Sequence, residues 1–182
     1  SGSGRPFLGQ VYGFRISNNL RYSGTSNITL PTGPYVSDSN TKLLLFQTET
    51  LTTDESGNHT VTKINSPQAS TDLGIKQSGG SYAFAVEDPD NTAPFFHFPI
   101  YNGSDAALGM GTGDFTIECW IRRKTGFTSN GGVFQLHSSN TDASSDAVNT
   151  IAVFYEKSNN TFTIWGSSNR TVSHTLADDA WV

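Results

Sequence analysis

The segment GTGDFTIECWIR, residues 111–122, carries the clearest secondary-structure signal in this chain. Two glycines and an aspartate indicate a turn, and a strict alternation of side chains follows. A period of two with β-branched and aromatic residues is typical of a half-buried strand and fits a helix badly. The expected core face consists of Phe115, Ile117, Cys119 and Ile121. The opposite face carries Thr116, Glu118, Trp120 and Arg122. Of these only Trp120 is apolar, and it must be covered by a loop, a neighbouring module or a ligand.

The same period of two recurs along the chain and predicts an all-β fold. In the first strand, residues 5–17, it places Tyr12, Phe14 and Ile16 on one face and Val11, Gly13 and Arg15 on the other. No convincing amphipathic helix is found. We therefore expect an antiparallel sandwich of two sheets. Further strands are predicted at 41–47, 59–64, 79–86, 95–100, 114–123, 132–137, 150–156, 161–165 and 171–176.

Composition excludes several classes of protein. The 182 residues carry 12% aromatic side chains, enough for a substantial core, and only 15% charged ones. The net charge is −5 and the basic residues are scattered, so we expect no nucleic-acid partner. The lone cysteine, Cys119, cannot form an internal disulfide and is expected to pack as a small hydrophobe. No apolar run reaches the ~18 residues of a membrane span.

The segment 111–122 resembles the "G-T-G-D-F-T-I-E-x-W-I" strand of laminin-G-like modules in the concanavalin A-like lectin/glucanase superfamily. The version it resembles most occurs in phage and bacterial surface proteins. Residues 41–47 (TKLLLFQ) and the turn 54–59 (DESGNH) are similar to the opening strand and first turn of such modules. The resemblance implies a jelly-roll sandwich and a location on a virion surface or outside the cell.

The resemblance also implies a division of the chain. Residues 1–17 are expected to be the closing strand of a preceding module, or of the same module once completed. Residues 18–40 are expected to be an extended linker rich in Pro, Gly and Ser, and 41–182 a sandwich that lacks its C-terminal strands. Three arrangements remain open for strand 5–17: a piece of a longer tandem protein, which we favour, a strand folded back onto its own sheet, or one that completes a neighbouring copy.

No catalytic constellation is evident, and we expect no enzyme activity. Glycanases of the superfamily carry paired acids in an "E-x-D-x-x-E" pattern, which would place their carboxylates on one face of a strand. That pattern is absent, and Glu118 is the only acid in residues 115–123. The four histidines are far apart, and no serine lies in a G-x-S-x-G turn.

Two kinds of binding site are candidates. Calcium prefers several oxygen ligands in a flexible loop, and the candidate ligands are Glu87, Asp88, Asp90 and Asn91. Asp54 and Asn58 form a second, weaker candidate, and solvated turns are the alternative for both. Exposed aromatic rings stack on sugars, and the available platforms are Trp120, Trp165, Tyr155 and Trp181.

Taken with the resemblance, these features predict a structural or adhesive component of a virion, such as a fibre, decoration or tail-appendage protein. Its partners would be other virion proteins or copies of itself, with host-glycan contact as an additional role. The competing hypothesis is a carbohydrate-binding lectin or adhesin module of a bacterial surface protein.

Overall fold

The computed structural model describes the two sheets of a sandwich and the segments that cover them. The described residues are 7, 9–24, 28–31, 33–48, 50–64, 68–70, 81–84, 95–97, 113–126, 130–136, 151–165 and 170–182. They form strands and no helix, so none of them contributes a helix that could cross a membrane. The prediction of an all-β chain with antiparallel sheets is confirmed.

Eleven strands are found within these ranges. Their bounds follow the period-two segments of the sequence to within a few residues, apart from the short β4, which the sequence did not predict. The strands are β1 (Gly9–Ser17), β2 (Thr41–Leu45), β3 (Thr62–Ile64), β4 (Gln68–Ser70), β5 (Ser81–Phe84), β6 (Phe95–His97), β7 (Thr116–Arg123), β8 (Gly131–Leu136), β9 (Ile151–Glu156), β10 (Thr161–Trp165) and β11 (Arg170–Ser173).

Strand β1 is the centre of the first sheet. All nine of its residues are buried, and it pairs antiparallel with β7 along its whole length. Its other edge is shared by β2, which pairs with Phe14–Ser17, and β5, which pairs with Gly9–Val11 and continues to β4. The strand is thus hydrogen-bonded to three strands of its own chain.

A β-bulge at Gly13 changes which β1 side chains enter the core. Tyr12 pairs with Trp120 and Arg15 pairs with Glu118, so two residues of β1 oppose the single Cys119 of β7. The extra residue reverses the alternation. Phe14 and Ile16 still share the core face as predicted. Tyr12 lies on the opposite face beside Arg15, and Val11 enters the core opposite Ile121, so the predictions for Tyr12 and Val11 were wrong.

The second sheet has the order β11-β10-β9-β8 and packs its inner face against the first. Phe14 of β1 meets Phe134 of β8 edge to face, with ring centroids 5.4 Å apart. Tyr155 of β9 is fully buried in the same core and lies 5.1 Å from the Phe162 ring. A separate two-stranded ladder joins β3 and β6.

The apolar face of β7 is only partly covered. Ile121 is buried, and Ile117 and Cys119 are half-buried but pack against the core as predicted. Phe115 was expected to be a core residue and is 43% exposed, because it precedes the strand and lies at the open end of the sandwich. Burial in the core thus decreases along β7 from Ile121 towards its N-terminal end.

We predict that Gly13→Ala destabilises the protein by about 1–3 kcal/mol. Gly13 has a φ of +61°, and a Cβ atom there would lie 3.0 Å from the Tyr35 ring. Gly57→Ala is the matched control, since its φ is +74° but no atom lies within 4 Å of the added Cβ. Urea unfolding should show a larger loss for Gly13→Ala; equal losses would contradict a role for the Tyr35 contact.

Candidate functional site

The face of the first sheet that points away from the core carries a nearly buried ion pair. Arg15 Nε donates to Glu118 Oε1 at 2.7 Å, and Arg15 Nη2 lies 2.6 Å from the same oxygen. The two side chains are only 9% and 11% exposed. They face each other because the Gly13 bulge brings Arg15 onto the Glu118 side of the β1–β7 ladder.

The ion pair is covered by the segment 18–40, which we call the strap. Over its described residues, 18–24, 28–31 and 33–40, the strap forms no strand, and it packs against the sheet. Arg15 Nη1 donates to the Val36 carbonyl at 3.3 Å, and the guanidinium carbon lies 4.4 Å from the centre of the Tyr35 ring. Tyr22 donates its hydroxyl hydrogen to Glu118 Oε2.

Burial raises the pKa of two strap tyrosines. For Tyr22 the pKa reaches about 12, first through desolvation and then through the hydrogen bond to the Glu118 carboxylate. The pKa of Tyr35 is raised further, mainly by desolvation. Both phenols therefore stay neutral over the whole physiological range, and Tyr22 acts as a hydrogen-bond donor to a charged acceptor.

A second polar cluster fixes the two ends of the strap to β1 and β2. Arg21 donates from both terminal nitrogens to the Asp38 carboxylate, each at 2.7 Å, and its Nε donates to the Ser17 hydroxyl at 2.9 Å. These hydrogen bonds hold the pKa of Asp38 well below its usual range. Thr41 caps the arrangement, since its amide donates to Asp38 Oδ1 at 3.0 Å.

The strap leaves several large apolar side chains exposed to solvent. Two of them are held by neighbours in the same segment, since Leu20 precedes the hydrogen-bonded Arg21 and Val36 follows the buried Tyr35. Exposed large apolar side chains that a rigid segment presents together are typical of contact surfaces. The exposed strap residues are Leu20 (59%), Ile28 (48%), Leu30 (57%) and Val36 (75%).

A groove of about 380 Å³ runs along the outer edge of β7 and reaches both faces of the first sheet. Its inner wall is formed by core side chains of the two sheets, and its outer wall by Trp120 and by the strap. Among the described residues of the wall, the carboxylic acids and bases are Glu118 and His174. The apolar wall includes Ile28, Leu30, Ile117, Ile121, Val133, Phe134, Val153, Phe162 and Val182.

The structure places the predicted aromatic platforms in different environments. Trp120 is half-buried and lines the groove, opposite Tyr12 in the ladder. Trp181 is half-buried, and its backbone forms an isolated antiparallel β-bridge with Arg122. Tyr155 is fully buried, with its hydroxyl 3.0 Å from Asn160 Oδ1, so its prediction as a sugar platform was wrong. Trp165 ends β10, and its side chain lies outside the described part of the chain.

The first calcium candidate, Glu87, Asp88, Asp90 and Asn91, also lies outside the described residues. The second calcium candidate is the turn at Asp54 and Asn58, where the Asp54 carboxylate already accepts hydrogen bonds from backbone amides. Asp54 accepts from the amides of Leu44, Ser56, Asn58 and His59 at 2.9–3.1 Å. Over the ranges that the structure describes, no three His, Cys, Asp or Glu residues are grouped as a metal site.

Cys119 also lines the groove and is half-buried. Desolvation raises the pKa of its thiol to about 12, and the negative charge of Glu118 acts in the same direction. Since the thiolate is the nucleophile, a thiol of this kind is unreactive at neutral pH.

The sequence did not indicate that the strap forms part of the site. The available signal was two aromatic residues, Tyr22 and Tyr35, inside a segment otherwise rich in Ser, Thr, Asn, Gly and Pro. A second signal was a charged residue on the non-core face of each of two clearly predicted strands, Arg15 in β1 and Glu118 in β7. Without the bulge at Gly13, however, the alternation gave no reason to place these charges opposite each other.

We predict that Glu118→Ala destabilises the protein by about 3–5 kcal/mol, because it leaves Arg15 charged and buried without its carboxylate. The double variant Arg15→Met, Glu118→Leu removes both charges and should recover a large part of that loss. Urea unfolding of the wild type, Arg15→Met, Glu118→Leu and the double variant measures this coupling. A double variant as unstable as the sum of the single losses would contradict a buried pair.

We also predict a loss of stability in alkali that depends on Tyr22. Its pKa is raised from 10.0 to about 12, so the neutral phenol stabilises the folded state fully below pH 10. That contribution is lost as the pH rises from 10 to 12. Tyr22→Phe should be less stable at pH 8 but should lose less between pH 10 and 12. Unfolding curves with the same pH slope for both proteins would refute this.

Comparison of the chain with protein-family models, with curated proteins and with solved structures finds no match. The groove, the strap and the ion pair are therefore the features from which a function can be inferred.

Proposed function

We propose that this chain is a non-enzymatic structural and adhesive module of a virion, in a fibre, decoration or tail-appendage protein, that acts by packing against other proteins. The observation that carries the proposal is the strap, which holds four large apolar side chains in solvent on a segment anchored by hydrogen bonds. The partners are other virion proteins or copies of the same chain.

Anchoring makes the exposed side chains suitable for assembly. A free apolar segment loses conformational entropy when it binds, and that loss weakens association. The strap has already lost much of this freedom, since Arg21 fixes both of its ends and Tyr35 is buried against the Gly13 bulge. A contact made by Leu20 or Val36 therefore costs less entropy than one made by a loose loop.

The charged groups of the site favour support over chemistry. Glu118 accepts hydrogen bonds on both carboxylate oxygens, from Arg15 and from Tyr22. A general acid or base needs an oxygen within reach of substrate, and a nucleophilic carboxylate needs an available lone pair directed at the substrate. The ion pair instead holds the strap on the sheet, which is the role expected in a rigid display module.

The assignment to a virion is supported by the resemblance of segment 111–122 to laminin-G-like modules of phage proteins. The finer proposal for the fold is the jelly-roll connectivity of the concanavalin A-like superfamily. Two antiparallel sheets packed through Phe14 and Phe134 are compatible with that connectivity. Rigid sandwiches with apolar surface segments suit regular arrays, in which each copy makes the same contacts.

A second candidate function is carbohydrate binding, as in a lectin or adhesin module of a bacterial surface protein. The observation that favours it is the half-buried Trp120 in the wall of the groove. Sugar hydroxyls, however, need polar partners, and the groove wall is mainly apolar. We therefore rank this function below protein packing.

We predict that the triple variant Leu20→Ser, Leu30→Ser, Val36→Ser loses incorporation into particles at least tenfold while its thermal midpoint stays close to that of the wild type. Exposed apolar residues contribute to contacts more than to stability of the isolated chain. Val172→Ser is the matched control, since Val172 is 55% exposed but lies on β11 of the other sheet. Electron microscopy of particles assembled with each variant measures incorporation.

Unchanged incorporation of the triple variant would overturn the proposed function. A glycan array probed with and without calcium tests the second candidate function, carbohydrate binding, independently of protein packing. Binding that is lost in Trp120→Ala would favour the lectin or adhesin, and its absence under both conditions removes that candidate.

A further inference from the structure

Strand β2 has a single strand neighbour, β1, within the part of the chain that the structure describes. Its other edge is therefore an edge of the first sheet. Such an edge presents amides and carbonyls that a further strand can use. Along this edge lies a turn instead of a strand, residues 54–58, which contains Asp54 and Asn58 of the weaker calcium candidate.

The turn satisfies both backbone groups that Leu44 directs to this edge. The Leu44 amide donates to Asp54 Oδ1 at 2.9 Å, and the Leu44 carbonyl accepts from the Glu55 amide at 2.8 Å. These two contacts replace the two that a neighbouring antiparallel strand would make. Asp54 is only 8% exposed, and its Oδ2 accepts from the amides of Asn58 and His59 at 3.1 and 2.9 Å, so its carboxylate is fixed in this position.

The turn also covers Lys42, the next residue of β2 whose backbone points to this edge. Backbone groups of alternate residues point to the same edge of a strand, so Lys42 faces the turn together with Leu44. The Lys42 carbonyl accepts from Asn58 Nδ2 at 3.2 Å, and the Ser56 hydroxyl lies 3.1 Å from the same oxygen. The edge is thus covered from Lys42 to Leu44.

We propose that the turn 54–58 is an autoinhibitory contact, which prevents β2 from pairing with β2 of a second copy of the chain. Covering an edge with a loop is one way in which proteins avoid pairing between sheets. The turn therefore prevents copies from joining through their backbones at this edge. The inference goes beyond the proposed function, because it concerns the edge of a sheet and none of the exposed side chains of the strap.

The excluded partner is a second copy because β2 is complementary to itself. In an antiparallel pair around a two-fold axis at Leu43, Lys42 of one copy lies opposite Leu44 of the other. These two residues then exchange two hydrogen bonds, since both direct their backbone groups to the edge. The lysine lies opposite an apolar residue, so no like charges are directly opposed. Residues 43–46 are all large and apolar, a composition that favours pairing between exposed strands.

The test is sedimentation equilibrium of the full chain carrying the triple substitution in the strap, so that association through the strap does not contribute. Added to this background, Asp54→Ala removes the acceptor of the Leu44 amide and should lower the dissociation constant of the dimer at least tenfold. Glu55→Ala is the matched control, since it removes the same charge from an exposed side chain of the same turn and keeps the amide that contacts Leu44. This variant should associate no more than the background.

Hydrogen exchange of the Leu44 amide identifies the interface. In Asp54→Ala this amide has lost its side-chain acceptor, so it should exchange rapidly at low protein concentration. It should exchange at least tenfold more slowly at concentrations where the dimer forms, because the Lys42 carbonyl of the second copy then accepts from it. A dimer in which Leu44 exchange is independent of concentration would overturn the inference, since that dimer uses another surface.

A milder variant decides the question if Asp54→Ala fails to fold. The double variant Ser56→Ala, Asn58→Ala uncovers the Lys42 carbonyl and leaves Asp54 in place. It should bring the dissociation constant of the dimer at least threefold below that of the background. Folded variants that stay as monomeric as the background, or association of Glu55→Ala equal to that of Asp54→Ala, would overturn the inference.

Discussion

The described structure depends on the nearly buried pair between Arg15 and Glu118. Removing two charges from water is costly, and the pair is tolerated because hydrogen bonds satisfy its remaining atoms. Tyr22 and the Val36 carbonyl provide those hydrogen bonds, and both belong to the strap. The pair therefore couples the first sheet to the segment that covers it, and neither would have the same conformation without the other.

The Gly13 bulge is the backbone feature that makes this coupling possible. One extra residue in β1 returns Phe14 and Ile16 to the core and leaves Tyr12 and Arg15 on the outer face. The positive φ of Gly13 is readily adopted only by glycine, and the absence of a Cβ lets the Tyr35 ring approach. A single glycine thus determines both the position of the ion pair and the fit of the strap.

The surface proposed for binding is apolar. The strap presents side chains such as Leu20 and Val36 to solvent, so its contacts are set by shape and buried area. The ion pair supports this surface, because Glu118 belongs to β7 and its hydrogen-bond partners belong to β1 and the strap.

The sequence by itself determined the all-β class, most strand positions and the core role of Ile117, Cys119 and Ile121, because these depend on local alternation. It could not determine the face of Tyr12, the burial of Tyr155 or the exposure of Phe115, which depend on the bulge, on the packing of the second sheet and on where that sheet ends. The site was decided only by the tertiary structure, since Arg15, Tyr22, Tyr35 and Glu118 are brought together across as many as 103 positions of sequence. Alternation describes one strand at a time, whereas a buried ion pair requires two strands in a particular register and a third segment to cover them.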